Sequence, residues 1–416
     1  MAKSKTNAQR WVQAQRLALP ILTPVIAALI GLLIGAVLLL SVGANPLSAY
    51  AALLDGAVGS KNSIADTLVK ATPLLFVAVG ISIAFRAGVI NIGGEGQFIM
   101  GAIGATVVAL SLDDLPGPVI MVLAFLAGAL GGAIWGGIAG ALKAKLGVNE
   151  ILSTVMLNVI AALLMNYLVA GPLIDPRQIE AGTRIPETAR FPRKADLPRL
   201  WEPTRLHSGI IIAVTMAVVV WVVLWRTPFG FRIRAVGFNP AASRYAGMSV
   251  QRNAMTALTL SGMLAGMGGA TQVMGLDHRL YSEGNAAAFT GLAGFNGIVV
   301  ALFGGLHPLG AVPASMLFGG LLVGANALQR TAQVPSSIAT TLNGIVVFVV
   351  VSSQFWLRRR QRLLYLPDAG MSAATGDTTI DEDSAESLEL SSQSEITAAV
   401  TIPGDASSTE GSTDVD

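Results

Sequence analysis

Runs of about twenty predominantly apolar residues recur along the chain to about position 357, separated by shorter stretches that hold most of the charges. A helix needs about 20 such residues to cross the roughly 30 Å hydrocarbon core of a bilayer. The pattern predicts an all-α integral membrane protein of about ten transmembrane helices, at 20–42, 64–85, 91–112, 118–142, 150–170, 209–225, 254–276, 286–304, 309–326 and 337–357. The runs at 91–112 and 286–304 open on Gly-rich, Asn-containing stretches and read as broken or re-entrant segments. Irregular backbone at that depth is tolerated only inside protein or beside water.

Composition strengthens this reading. Of 416 residues 53% are hydrophobic and 12% charged, with mean hydropathy +0.63, where a soluble domain carries about 25% charge. A single soluble core rarely grows past roughly 250–300 residues. The 46 glycines fit helices that approach closely in lipid. Cysteine is absent, which excludes disulfides, thiolate nucleophiles and cysteine metal sites. The run from Ile21 to Leu40 is too long, and too poor in a cleavage site, for a secretory signal, and reads as a retained first span.

The formal charge of +2 conceals two opposed regions. Twelve of the 25 acidic residues lie beyond Leu366 and no Lys or Arg does, so the first 366 residues carry 27 basic against 13 acidic residues, a balance of +14. The basic residues flank apolar spans and do not cluster with aromatics, which argues for membrane topology and against nucleic acid. Lys and Arg near span ends favour the cytoplasm, and with both chain ends inside, the cytoplasmic segments hold most of them, from Lys3 and Arg86 to Arg226, Arg252 and Arg362.

Three regions follow: a cytoplasmic N-terminal segment 1–19, a transmembrane domain 20–360, and an acidic tail 361–416. The tail, rich in Ser, Thr, Asp and Glu, cannot bury enough apolar surface to offset its ordering entropy. Pro172 to Ser208, expected outside, mixes seven basic with five acidic residues and several prolines, a makeup that suggests an ordered cap or a docking surface.

Omitting the first and sixth spans leaves two sets of four, 64–170 and 254–357. Each has a Gly-rich start to its second member, Gly88-Val-Ile-Asn-Ile-Gly-Gly-Glu-Gly-Gln97 and Gly291-Leu-Ala-Gly-Phe-Asn-Gly-Ile298. Corresponding members lie five spans apart, so the sets are expected to be inverted in the membrane. Inverted repeats place a translocation path at their interface, lined near the midplane by interrupted helices.

No G-x-x-x-x-G-K-[ST] phosphate loop is present, so the chain is not expected to hydrolyse ATP unaided. Gly93-Gly-Glu-Gly96 does not fit the dinucleotide fingerprint. His207, His278 and His307 fall in different loops, which argues against a metal cluster or proton relay, and no catalytic residues are assigned.

Glu95 stands out, because an ionisable group at mid-bilayer costs roughly 2.5 kcal/mol or more and faces a cavity or a partner. Near the cytoplasmic end of its segment it would instead be a solvated carboxylate near Arg86, and both readings stand. Asn91, Gln97, Asn158, Asn166 and Asn296 add neutral donors and acceptors. They serve either interhelical hydrogen bonds or a path for a hydroxylated, neutral solute. Asn91, Glu95, Gln97, Asn158 and Asn296 are the candidate path residues, with Phe98, Phe289 and Phe295 nearby for stacking or core packing.

The loop 226–253 reads as a docking element. Asn239 is placed to cap a helix whose first position is Pro240, with Ala241, Ala242 and Tyr245 on a compact face and Gly247 ending it. Arg232, Arg234, Arg244 and Arg252 border it.

At this loop the chain resembles the permease subunits of ATP-binding-cassette importers, in the branch for nucleosides and simple sugars, with branched-chain amino acid permeases as more distant relatives. The likeness is carried by Arg86-Ala-Gly-Val-Ile-Asn-Ile-Gly-Gly-Glu-Gly-Gln97, by Gly147-Val-Asn-Glu-Ile-Leu-Ser-Thr-Val-Met-Leu-Asn158, by Thr227 to Met248, and by Gly294-Phe-Asn-Gly-Ile-Val-Val-Ala-Leu-Phe-Gly304. These stretches keep one order within about residues 20–360.

The resemblance implies that Pro240 to Gly247 is the coupling helix, received by a separate ATPase that binds ATP and Mg, with Arg232, Arg234, Gly237, Asn239, Ala241, Ala242 and Gly247 as coupling residues. Ala241 stands where the family pattern has Glu, and Ser243 where it has its second Ala. The resemblance also implies a second permease subunit, the same or a related chain, an extracytoplasmic solute-binding protein, and a bacterial cytoplasmic membrane as the site of action. The competing reading is an ion-coupled secondary transporter of small neutral solutes, which would act alone and need charged residues within its spans.

Overall fold

A computed structural model describes residues 29–282 and 286–331, with isolated positions between 335 and 352. The segment 1–19, the tail 361–416 and most of the expected span 337–357 lie outside the described residues. The helices in chain order are α1 (Leu29–Ser41), α2 (Pro46–Val58), α3 (Lys61–Arg86), α4 (Gly94–Ser111), α5 (Gly117–Leu146), α6 (Glu150–Ala170), α7 (Pro176–Glu180), α8 (Gly209–Arg226), α9 (Pro228–Phe238), α10 (Pro240–Tyr245), α11 (Val250–Gln272), α12 (Ala286–Thr290), α13 (Ala293–Phe303) and α14 (Pro308–Thr331).

Boundaries follow local chemistry. Ser60, Asn149, Thr227, Asn239 and Ser249 each accept a backbone N–H of the helix they precede, relieving donors that a helix start leaves without an intrahelical acceptor. Gly147 ends α5 in the left-handed region at φ 67°, which costs a residue without Cβ least. Lys143 and Glu150 then pair across the α5–α6 turn at 2.6 Å.

The all-α membrane architecture is as expected. Among the described residues five helices, α3, α5, α6, α8 and α14, are long and apolar enough to cross a membrane, and α1 with α2, bent by 117°, would make a sixth. Other expected spans differ from these in length or composition for physical reasons. The segment expected at 91–112 becomes helical only at Gly94, and that at 286–304 is two short helices, α12 and α13, joined by Gly291 and by Leu292 in a left-handed conformation. α4 and α11 are diluted by polar and small residues because they contact protein on most sides: Glu95, Gln97 and Thr106 on one, and Ser261, Thr271 and Gln272 on the other, are all buried.

Glycine lets the central helices touch backbone to backbone. Gly128, Gly132, Gly136 and Gly140, one per turn of α5, lie against Gly262, Gly266, Leu258 and Met255 of α11. Gly101 of α4 meets Gly266 from the other side. In lipid, where apolar burial between helices gains little, such close van der Waals contact is a main source of association.

The helices run in determinate directions. Lys61 at the start of α3 donates to the Glu202 carbonyl at 2.9 Å, Lys194 donates to the Asp113 carbonyl just after α4, and Leu197 N donates to Met274 O just after α11 at 2.9 Å. These contacts lie at the end formed by residues 171–208. At the opposite end Arg86, last in α3, bonds the Leu306 carbonyl beyond α13 at 2.9 Å, beside α9. So α3 and α13 run away from the 171–208 end, and α4 and α11 run toward it.

The 171–208 segment packs against the residues that follow α11. Thr188 N and Phe191 N donate to Leu280 O and His278 O, and Glu187 pairs with Arg279 at 2.8 Å. It forms a cap over the π-helical turn Val273–Asp277 and the residues after it.

Candidate functional site

From Ala87 to Gly93 the chain is not helical, and it enters the protein interior before α4 begins. Asn91 holds this stretch. Its Oδ1 accepts Gly93 N at 2.8 Å, and its Nδ2 donates to Gln97 Oε1 at 3.0 Å and to Ser261 Oγ of α11 at 2.8 Å. Gln97 returns a hydrogen bond from Nε2 to Asn91 Oδ1 at 3.2 Å. From α6, Asn158 accepts Gly96 N at 2.8 Å and donates to Ile92 O at 3.0 Å. These amides give the first turn of α4 and the coil before it the partners that water cannot supply there.

Glu95 performs the same service for the other broken segment. Its Oε2 accepts the backbone N–H of Gly294 in α13 at 2.8 Å, and its Oε1 accepts the Thr290 hydroxyl. Thr290 Oγ1 also accepts Leu292 N at 3.1 Å. The carboxylate is only 5% exposed. It lies where α4 and α13 begin, so the positive ends of two helix dipoles converge on it. Gly294 allows the approach, since a Cβ there would overlap the Glu95 backbone and carboxylate. Of the two readings of Glu95, the structure selects the enclosed group with partners over the solvated carboxylate near Arg86.

Four of the five candidate path residues, Asn91, Glu95, Gln97 and Asn158, are thus brought together around residues 91–97. Asn296 stands apart, its Nδ2 donating back to Gly291 O within its own turn at 3.3 Å. Asn166 accepts the Ser282 hydroxyl. Phe98 and Phe289 are buried core rings with centroids 6.3 Å apart, while Phe295 is 41% exposed.

A cleft approaches this junction from the capped end. An outer cavity of about 580 Å³ is lined by Asn62, Asp66, Lys70, Arg205, Asp277 and Arg330 among others. An inner one of about 160 Å³ reaches Gln272, Thr290, Gly291 and Ala293. Lys70 and Asn326 line both. Asp277 is tied to Gln272 Nε2 at 2.9 Å, and burial pushes its carboxyl up to about 6. Sequence reasoning passed over these residues and Thr290. Lys70 was findable, being an ionisable group inside the run 64–85. Thr290, three residues before the start of α13, carried only the weak signal of a capping type.

At the opposite end α10 forms as its sequence dictates. Asn239 Oδ1 accepts Ala242 N at 3.0 Å, Pro240 is the first helical residue, and Gly247 follows at φ 76°. Asn239, Ala241, Ala242 and Gly247 are exposed, as are Phe238 and Tyr245 at 94% and 95%. Arg232 is exposed, but Arg234 turns inward, its Nε donating to Leu224 O at 2.9 Å. Gly237 packs on the Arg86 carbonyl, where a Cβ would collide.

Residues 63–351 match the family described as branched-chain amino acid transport system / permease component. The chain is 39% identical to the guanosine ABC transporter permease protein NupP of Bacillus subtilis, over 80% of this chain and 93% of that protein. It is 33% identical to the glucose ABC transporter permease protein TsgB13 of Haloferax volcanii, over 81% and 89%, and 32% identical to the nucleoside ABC transporter permease protein NupB of Lactococcus lactis, over 80% and 91%. With the family match running from α3 into the last expected span, the chain belongs to this family of ABC transporter permeases, and is a multi-pass membrane protein and not an enzyme.

Proposed function

We propose that the chain is the membrane-spanning subunit of an ABC importer that passes nucleosides or simple sugars across the bacterial cytoplasmic membrane, driven by a separate ATPase. The observation that carries the reading is the meeting of two interrupted segments at Glu95, beside a cleft that descends from the capped end. Interrupted helices that begin inside the protein are how transporters place polar groups at mid-membrane. The substrate class rests on the relatives, which are named for guanosine, glucose and nucleosides.

In this reading α3–α6, and α11–α14 with the expected span 337–357, are two inverted sets, consistent with the opposed directions of α3 and α11 and of α4 and α13. The capped end faces outward, where a solute-binding protein delivers substrate to the Asp66, Lys70, Asp277 and Arg330 cleft. Carboxylate, amide and ammonium groups there suit hydroxyl-rich solutes, since between them they accept and donate.

Asn91, Gln97 and Asn158 fix the start of α4 behind the path, and Glu95 lies behind Thr290, which lines its inner end and bonds the carboxylate. Asn296, one turn further along α13, is available to the path after rearrangement. At the inner end α10 is received by the ATPase, which binds ATP and Mg. Closure of the ATPase dimer presses on α10, and the two sets reorient about the Glu95 junction. A second permease subunit, the same or a related chain, completes the assembly.

The test is uptake of radiolabelled guanosine, adenosine and glucose into proteoliposomes holding this chain with the ATPase, second permease and binding protein encoded beside it. Uptake that requires internal ATP supports the reading. Uptake by this chain without the ATPase, driven by an ion gradient, would overturn it in favour of a secondary transporter.

A further inference from the structure

One aromatic residue at the inner end lies where four elements converge. Trp225 is the penultimate residue of α8. The Arg86 guanidinium, at the end of α3, is 5.0 Å from its ring centroid. The Arg234 guanidinium, on α9, is 5.5 Å away, and the His307 ring, in the turn between α13 and α14, is centred 4.6 Å away. Both arginines are also tied to backbone. Arg86 Nε donates to Leu306 O at 2.9 Å and its Nη2 to Gly305 O at 3.4 Å, which places a cation on the closing turn of α13, where the helix dipole favours one. Arg234 Nε donates to Leu224 O at 2.9 Å. His307 is held below its ordinary value by burial and then by the Arg86 charge, so a neutral ring packs on the indole between two cations.

We propose that Trp225 is the positioning residue through which displacement of α9 and α10 reaches α13 and, along it, the Glu95 junction. This rests on the reading of α10 as the element the ATPase moves. α13 has 11 residues, so it is a rod about 16 Å long, with the Trp225 cluster at its closing turn and Gly294, bonded to Glu95, at its first. A stiff helix held at both ends transmits a shift at one end to the other. The indole face attracts both guanidiniums, so α9 cannot move without dragging on the Arg86 grip at Leu306. Arg234 then acts through Trp225, and its inward orientation follows from that role.

The experiment uses the complete transporter in proteoliposomes and measures solute uptake, ATP hydrolysis and retention of the ATPase through purification. Trp225→Ala is expected to lower uptake about tenfold while hydrolysis stays within about twofold and the ATPase is retained, the size expected of a lost coupling between sites. Trp225→Phe, which keeps a ring for both cations, is expected to restore the ratio of solute to ATP to within about twofold of the parent. His307→Ala, at the turn surface, is expected to lower that ratio about threefold.

A parallel fall of uptake and hydrolysis in Trp225→Ala would overturn the proposal, as would an unchanged ratio in both alanine variants. If Trp225→Ala fails to assemble, an unchanged ratio in His307→Ala overturns it alone. Failure of the parent to show ATP-dependent uptake would instead remove the importer reading on which the proposal stands.

Discussion

Glu95 accepts the backbone N–H of Gly294 at 2.8 Å across 199 residues of sequence. That bond joins the first turns of two helices that begin inside the protein. Gly294→Ala is therefore expected to break the junction, because the added Cβ would overlap Glu95 backbone atoms that α4 cannot withdraw. A cost of about 3 kcal/mol is reasonable for overpacking against backbone. Glu95→Gln is the milder change, since an amide oxygen still accepts from Gly294, and a loss of about 1–2 kcal/mol is expected from weakening a charge-assisted bond. Thermal unfolding in detergent ranks the two, and a Gly294→Ala protein as stable as the parent would contradict the account.

The α5–α11 seam gives a second, internally controlled prediction. A Cβ at Gly132 would strike Gly262 O and lie 2.7 Å from Gly266 Cα, whereas one at Gly137 would meet only Thr259 Oγ1 at 3.3 Å. Both glycines are interior to the same helix, so the propensity gain on changing either to Ala is equal, at roughly 1 kcal/mol. Gly137→Ala is expected to be neutral or stabilising, and Gly132→Ala to destabilise by at least about 2 kcal/mol. Equal melting temperatures for the two variants would show that the close approach carries no stability.

These features differ in how far the sequence alone discloses them. The α10 helix was legible in full, because Asn239, Pro240 and Gly247 specify a cap, a first turn and a stop within nine residues. The interruptions near 91 and 291 were legible as Gly and Asn in apolar runs. The depth of Glu95 was not, because it depends on where α13 begins, and nothing near residue 95 encodes Thr290 or Gly294. α4 and α11 are less apolar than the other expected spans for a related reason. Hydropathy measures fitness for lipid, and those helices meet Asn91, Gln97 and Ser261 of one another's segments instead. The Trp225 cluster joins residues 86, 225, 234 and 307, whose common ring contact exists only after folding.

Phe238 and Tyr245 lead to a third prediction. Two aromatic side chains almost fully exposed beside the capped α10 helix contribute little to the stability of this chain, yet aromatic residues are over-represented among those that dominate binding energy. Phe238→Ala and Tyr245→Ala are expected to leave the melting temperature of the isolated subunit within a degree or two, about 0.5 kcal/mol at most. Each is expected to weaken ATPase association by roughly tenfold or more. Titration of the ATPase onto detergent-solubilised subunit measures this. Undiminished affinity in the double variant would place the docking surface elsewhere.

The last prediction concerns acid and the cap formed by residues 171–208. His207, near the end of the cap segment, is buried against Gly209 and Gly275, and its Nδ1 accepts Gly209 N at 3.2 Å, which requires a neutral ring with its proton on Nε2. Burial first, and the nearby His278 second, push it down from 6.5 to about 4. Between those values the unfolded cap binds a proton that the folded cap does not. Stability therefore rises with pH across the window, is fully present above about 6.5, and is lost as pH falls toward 4, by up to roughly 3 kcal/mol. Limited proteolysis of the 171–208 segment at pH 7 and pH 5 reads this directly, with faster cleavage expected at pH 5. His207→Gln removes the titrating group and is expected to flatten the difference while cutting somewhat faster at pH 7, since its amide packs less well between Gly209 and Gly275. Unchanged acid sensitivity in His207→Gln would assign the effect to another group, with His278, 2.9 Å from Asp196, the next to test.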